Sequence, residues 1–488
     1  KKLTVVLSLL SVCAVTSVRL CCQVINSENF GKKDICFISF HTPSLRSMAS
    51  TLTRTPILRA ISARSYSQAL PVSGNPSAEL RTSTLPNKLV VAAVDNDASL
   101  TRVSIVFRAG SRNEKADNLG ATHIVRTAAG LSTKNASQFA IIRNIQQVGA
   151  NLTATSDRET ISYTLEGTRS AVEKALPYLA EVATHQEFRP WEVSELSNRL
   201  ILDILTRPLQ LRAIDLLHNA AYRSKGLGNS LFIPKSQVGK VSSETLQHYV
   251  ASNFVAGRAA VVGTGVSESL LNQFAASLGI ANGEGSTNPS PYKGGELRSN
   301  KGGPLAFVAV GGEGAPLKNT KEALAFAVLQ KAVCAGPQIK YGVLDNGVYS
   351  KALGGSSDVS ACAVNVSYSD SGLFGILLAA PAGSVGKAVQ SAVNVLKSGS
   401  VTDADVQRGK NQLKTAILLN AESGADVVRE LGTQAVLAGA PQSANALAAA
   451  VDSVSTSDVQ SALRKAGGKL TLAAIGNIND VPYLDELK

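Results

Sequence analysis

Residues 161–176 read Ile-Ser-Tyr-Thr-Leu-Glu-Gly-Thr-Arg-Ser-Ala-Val-Glu-Lys-Ala-Leu, and residues 374–389 read Phe-Gly-Ile-Leu-Leu-Ala-Ala-Pro-Ala-Gly-Ser-Val-Gly-Lys-Ala-Val. The offset that takes Ile161 to Phe374 lays the second stretch on the first. It pairs Ile161, Tyr163 and Leu165 with Phe374, Ile376 and Leu378, a strand-like alternation. It then pairs Val172, Lys174 and Leu176 with Val385, Lys387 and Val389, in a run that reads as helix. The same offset carries Val193 and Leu200 onto Val406 and Leu413. It also carries Val241, Ser242 and Leu246 onto Val454, Ser455 and Val459, and Gly263 onto Gly476. Loops accept insertions readily, so one constant offset over about a hundred residues indicates an internal duplication.

Working outward, Lys88–Val94 and the alternating Val103, Ile105 and Phe107 read as strands. Leu119–Ala129 and Ala136–Val148 read as helices closed by Gly130 and Gly149. Strands at Leu152–Ser156 and Ile161–Leu165 follow. Helices then come at Ser170–Ala183, Trp191–Thr206, Leu209–Tyr222 and Ser242–Phe254, and a strand at Ala259–Gly263. Strands and helices come in clusters, which indicates an α+β fold: two homologous units, each a mostly antiparallel sheet packed with helices. The units are expected at 67–280 and 293–488, joined by a linker at 281–292 marked by Gly283, Gly285, Pro289 and Pro291.

The chain has 488 residues and a formal charge of +12. Nine basic residues against two acidic ones lie in residues 1–66, so the rest of the chain has no polyanion footprint and no nucleic-acid partner is expected. No apolar run is long enough for a spanning helix. Met48 is the only methionine, and residues 1–47 read as upstream sequence that does not belong to the protein. Residues 48–66 lack Asp and Glu and carry Arg54, Arg59 and Arg64 among Leu52, Ile57, Leu58 and Ile61, the pattern of a mitochondrial presequence. Cleavage is expected after Tyr66. Only Cys334 and Cys362 lie beyond this region, which argues against a disulfide scaffold.

A duplicated α+β chain behind a presequence resembles the pitrilysin-like metallopeptidase superfamily. That superfamily includes the subunits of the mitochondrial processing peptidase and the core proteins of respiratory complex III. Its active members carry H-x-x-E-H on a helix, where two His four apart share zinc and Glu activates water. Here Gly120-Ala121-Thr122-His123-Ile124-Val125-Arg126-Thr127 occupies that place. His123 matches the first ligand, Arg126 stands for the catalytic Glu, and Thr127 for the second His. Asp203, well downstream of Thr127, falls where a later acidic ligand is expected. A cation at position 126 repels Zn²⁺, and Thr is a poor substitute for imidazole. The resemblance therefore implies an inactive homologue with no catalytic residue, metal or other cofactor. His185, His218 and His248 have no His partner three or four residues away and read as surface or satisfied core histidines.

Other motifs are weak. Gly263-Thr264-Gly265 lacks a third glycine and reads as a strand end. Asn135-Ala136-Ser137 and Asn151-Leu152-Thr153 fit the glycosylation pattern only as chance matches. Residues 334–341 show no dense glycine cluster, although the presequence-binding α subunit of the processing peptidase has a glycine-rich loop in the corresponding region. Gly354-Gly355 is an ordinary turn. Residues 364–375 resemble a strand–turn–strand of the core-protein branch. The resemblance thus implies a structural core subunit of complex III (ubiquinol–cytochrome c reductase). It would lie on the matrix side of the mitochondrial inner membrane, paired with core protein 1 within a dimeric complex and attached through other subunits. The alternative is the noncatalytic α subunit.

Overall fold

The computed structural model describes residues 79–487, apart from 97, 286–287, 337–345 and 355–357. The expectations for residues 1–66, and those for most of 334–341 and for Gly355, fall outside the described residues. The first half contributes strands β1 (Leu80–Thr84), β2 (Val90–Val94) and β3 (Thr101–Phe107). Helices α1 (Ala121–Thr127) and α2 (Gln138–Gln147) and strands β4 (Asn151–Ser156) and β5 (Ile161–Gly167) follow. Next come α3 (Arg169–Thr184), α4 (Pro190–Thr206), α5 (Leu209–Tyr222), α6 (Ser243–Asn253), β6 (Ala259–Thr264) and α7 (Glu268–Ser277). The second half holds β7 (Glu296–Asn300), β8 (Leu305–Glu313), α8 (Thr320–Cys334), α9 (Val348–Leu353), β9 (Ser360–Ser367) and β10 (Gly372–Pro381). It ends with α10 (Ala382–Ser398), α11 (Asp403–Glu422), α12 (Gly424–Ala438), α13 (Ala444–Asp452), α14 (Thr456–Ala466) and β11 (Thr471–Gly476).

Local chemistry sets many of these boundaries. Pro190 opens α4, where a missing N–H costs nothing, and Pro208 follows its end. Ser242 caps α6 and Ser455 caps α14, the positions that the repeat pairs. Thr402 and Asp405 form a reciprocal capping box at the start of α11. Helix α1 is shorter than Leu119–Ala129. It begins only after Gly120, whose φ of 90° is outside the helical region. A Cβ on Gly120 would also meet the Ile233 side chain at 2.5 Å. Strand β1 and helix α7 had no clear signal: β1 is a short, half-exposed edge of mostly polar residues.

The sheets run β1-β2-β6-β3-β5-β4 and β7-β11-β8-β10-β9. Remove the edge strand β1, and the two orders superpose element for element. Within each sheet one pair is parallel (β2 with β6, β7 with β11) and the other pairs are antiparallel. The constant offset holds where it was seen: α6 and α14 correspond residue for residue, and α10 starts where α3 predicts.

One face of each sheet buries its own half's helices. Phe107, Tyr163, Leu179 and Tyr249 belong to the first core; Val308, Phe326, Phe374 and Val389 belong to the second. The opposite faces are covered by exchange. Helix α5, from the first half, lays Ala213, Leu217 and Ala221 on Phe307, Ala309, Leu377 and Ile475 of the second sheet. Helix α12, from the second half, lays Val428, Leu431 and Ala435 on Ala92, Ala260 and Val262 of the first. Close approach is required there, since a Cβ on Gly432 of α12 would lie 2.7 Å from Val106 Cγ2. Full burial of a Val or Leu contributes about 1.5–3 kcal/mol, so each swapped helix is a substantial tie between the halves.

A polar lock completes the joint. The β9–β10 turn, Tyr368–Ser371, is closed by Tyr368 N–H donating to Ser371 O at 2.8 Å. All four residues are held by the first half. The Tyr368 hydroxyl donates to His218 Nε2 at 2.8 Å, because His218 Nδ1–H is directed to Ile214 O at 2.8 Å. Ser369 donates from its N–H and its Oγ to the Glu159 carboxylate, at 3.0 and 2.6 Å. Asp370 pairs with Arg112. Ser371 Oγ lies 3.1 Å from the Tyr222 hydroxyl, which also reaches Gly372 O at 3.1 Å. Arg112 is the hub. It donates to Glu159 Oε1 at 2.7 Å, to Ser369 Oγ at 3.1 Å and to Asn288 O at 2.9 Å, and its side chain is 2% exposed. Near the end of the linker Ser290 is buried, and Tyr292 stands edge-on to Tyr222.

Removing one member of such a pair leaves the other charge buried and uncompensated, a loss of about 3–5 kcal/mol. Arg112→Met is expected to lower unfolding stability in urea by that amount. Adding Glu159→Gln should recover part of it, since the fully buried carboxylate is then gone and only the partly exposed Asp370 loses its partner. A change within about 0.5 kcal/mol, typical of a surface site, would contradict a buried lock.

Candidate functional site

Helix α1 presents the residues that the sequence singled out. Its N-terminus is held by Glu114, whose carboxylate accepts from Gly120 N–H and Thr122 N–H, both at 2.8 Å. Burial pushes the Glu114 carboxyl up to about 7. The His123 imidazole is fully buried. Ile233 N–H donates to His123 Nδ1 at 3.3 Å. A backbone N–H can only donate, so Nδ1 is the acceptor and Nε2 carries the proton. That Nε2–H faces Asp203 Oδ2 at 3.3 Å, and the ring stands edge-on to Phe232 with centroids 5.1 Å apart. Burial, with the nearby Arg126 charge adding to it, pushes His123 down to about 4, and the ring is neutral at pH 7.

Arg126 lies one turn along. Its guanidinium carbon is 5.7 Å from the Phe232 ring centroid, and that of Arg207 is 4.6 Å from the same ring. Burial lowers the Arg126 pKa, and Asp203 and Asp157 act against that. Arg207 donates to Asp215 Oδ2 at 3.1 Å, and Arg158 to Asp215 Oδ1 at 2.6 Å. Thr127 turns its hydroxyl back along the helix to His123 O at 2.8 Å, so its donor is satisfied locally.

The structure thus brings together His123, Asp203 and Arg126, and directs Thr127 elsewhere. The pattern did not reveal Phe232, Arg207 or the Ile233 N–H. The first two are far from α1 in sequence, and a backbone donor has no side-chain signature. His218 is a satisfied core residue, and burial keeps it well below its usual pKa. His185 and His248 lie on the surface. Cys334 and Cys362 are buried.

The donor set offers one imidazole, one carboxylate and two nearby guanidiniums. One imidazole nitrogen accepts from backbone and the other donates to the carboxylate. Among the described residues no three His, Cys, Asp or Glu side chains form a group that could hold a metal. The neutral, hydrogen-bonded His123 has a sign-definite consequence. Its folded pKa lies below the unfolded value near 6.5, so the unfolded chain binds the extra proton first. The contribution is present above about pH 6.5 and is lost as pH falls through about 4. Stability measured across that window should fall less steeply for His123→Gln than for the native chain. Equal slopes would contradict a depressed His123.

Residues 89–235 match the family model described as insulinase (peptidase family M16), and residues 240–413 match that of the peptidase M16 inactive domain. The chain is 40% identical over 84% of its length to cytochrome b-c1 complex subunit 2, mitochondrial, of Mus musculus, covering 92% of that protein. It is 38% identical to the Homo sapiens protein of that name, again over 84% and 92%. The probable mitochondrial-processing peptidase subunit alpha-1 of Arabidopsis thaliana is 28% identical, with 84% of each chain covered. A two-sheet duplication and these matches together place the chain in peptidase family M16, the pitrilysin-like family, to which it belongs alongside the subunit 2 proteins of cytochrome b-c1 complexes.

Proposed function

We propose that this chain is a non-catalytic structural subunit of respiratory complex III, corresponding to core protein 2 of ubiquinol–cytochrome c reductase. The observation that carries this reading is Arg126, a half-buried cation where an active M16 enzyme needs its water-activating carboxylate. A general base must accept a proton near neutrality, and a guanidinium cannot. The surviving donors do not fit zinc either. His123 Nδ1 already accepts from Ile233 N–H, Thr127 supplies no imidazole, and Arg126 opposes a divalent cation. We read His123, Arg126, Thr127 and Asp203 as the remnant of a metal site, in which packing has replaced chemistry.

The same reading takes 67–280 and 293–488 as the two repeats of a peptidase shell joined at 281–292. It takes 48–66 as a presequence and 1–47 as upstream sequence. It places the chain at the matrix side of the mitochondrial inner membrane, paired with core protein 1 in a dimeric assembly. Attachment through other subunits suits a chain in which no described helix is long and apolar enough to cross a membrane. The likeness to the alpha subunits of the processing peptidase, at 28% identity, supports a presequence-binding role less well than 40% identity supports the complex III role.

Native gels of mildly solubilised mitochondria, with mass spectrometry of partners, test this reading. The chain should migrate with complex III and core protein 1, and the isolated chain should contain no stoichiometric zinc. Migration with a zinc-bearing peptidase subunit, and restoration of presequence cleavage, would replace the proposal with the α-subunit role. Stoichiometric zinc lost in His123→Ala would overturn the inactive-site reading.

A further inference from the structure

A cavity of about 320 Å³ opens where the rim of the first sheet meets helices α11, α12 and α13 of the second half. It is lined by neither His123 nor the residues that contact it. Its volume is at the lower end of the range in which proteins hold small organic ligands, roughly 300–1,000 Å³. The walls have two characters. Val94, Ile417, Leu431 and Leu447 supply apolar surface, and Glu422, Asp426 and Glu430 bring carboxylates. Asp426 is paired with Arg429. Glu422 has no ion-pair partner among the described residues. Glu430 accepts from Gln434 Nε2 at 2.5 Å. No Lys or Arg lines the cavity, and the two guanidiniums beside it are paired, Arg102 next to Gly424 with Glu166 and Arg429 with Asp426, which leaves Glu422 and Glu430 to give the mouth its negative charge.

A second observation points to an occupant. Thr264, at the end of β6, lines the cavity, is 3% exposed, and its hydroxyl has no hydrogen-bond partner. A buried hydroxyl left unpaired costs about 1–3 kcal/mol, so a ligand N–H that reached it would recover a lost interaction. Charge and polarity together select one class of ligand. An anion would meet carboxylates of its own sign, and a wholly polar molecule would strand the apolar wall.

We propose that this cavity is a binding site for a small organic cation, an alkylammonium or alkylguanidinium compound. Its apolar body packs on Val94, Ile417, Leu431 and Leu447, and its charged end is held by Glu422 and Glu430, with the Thr264 hydroxyl as acceptor. The ligand would touch both halves at once, because Val94 and Thr264 come from the first sheet and the helices from the second half. Binding should therefore raise the stability of the joined chain.

Titration of the full chain with octylammonium, octanoate and octanol below micellar concentrations, followed by calorimetry and by Tm, tests the proposal. Octylammonium should bind at least tenfold more tightly than octanoate and raise Tm. Glu422→Gln with Glu430→Gln should abolish that preference while leaving octanol unchanged. Ala421→Trp, which fills the mouth from an exposed position, should weaken all three ligands. Equal binding of octylammonium and octanoate to the native chain, insensitivity to Ala421→Trp, or no binding of any probe at millimolar concentration would each overturn it. None of these outcomes bears on membership of complex III, which the native-gel experiment tests separately.

Discussion

Arg112 is a buried cation shared between two halves of one chain. Among its partners Glu159 comes from the first half, and Ser369 and Asp370 come from the turn between β9 and β10. Neither charge could remain buried without the other, because desolvation of a lone ion in a protein interior costs several kcal/mol. Arg112 and Glu159 compensate each other within the first half, and the turn docks on that pair, Ser369 donating to Glu159 and Asp370 pairing with Arg112; docking also seats Tyr368 on His218 and Ser371 beside Tyr222. Those two first-half residues lie on α5, the helix that covers the second sheet. Polar lock and apolar exchange thus act on the same elements, each aligning the other.

Reciprocal exchange of α5 and α12 makes the two repeats a single body. A sheet whose second face is covered only by its partner's helix exposes apolar surface if the halves separate. For the first sheet that surface includes Ala92, Ala260 and Val262; for the second it includes Phe307, Ala309 and Ile475. The physical demand on a scaffold subunit is to hold its shape under load from neighbours, and packing joined to buried charge meets that demand. Helix α1 is stabilised in the same currency. Arg126 rests beside Phe232 and near Asp203, and His123 stays neutral and hydrogen-bonded.

Much of the fold was legible. Tyr163 and Ile376 alternate in strands that the constant offset pairs, and Ser242 and Ser455 cap corresponding helices. The offset fails at β8, which lies upstream of the position that β3 would give, because the repeats differ in loop length. The exchange of helices was not legible. The pattern of α5 shows that one face is buried, and nothing in it names the sheet that buries it. The Tyr368–Ser371 turn read as an ordinary hairpin, since Ser and Asp are common in turns for local reasons. At the site, the downstream placement of Asp203 did bring it to His123. Phe232 and the Ile233 N–H were invisible, being contributed by a distant loop and by backbone.

The central claim is that lock and exchange weld the halves into one cooperative unit. Native-state hydrogen exchange, read by mass spectrometry with increasing denaturant, tests it most directly. The account predicts that amides of β5 and β10 exchange through the same global opening, at one free energy and with one denaturant dependence. Opening of either sheet at markedly lower denaturant, while the other remains protected, would contradict it.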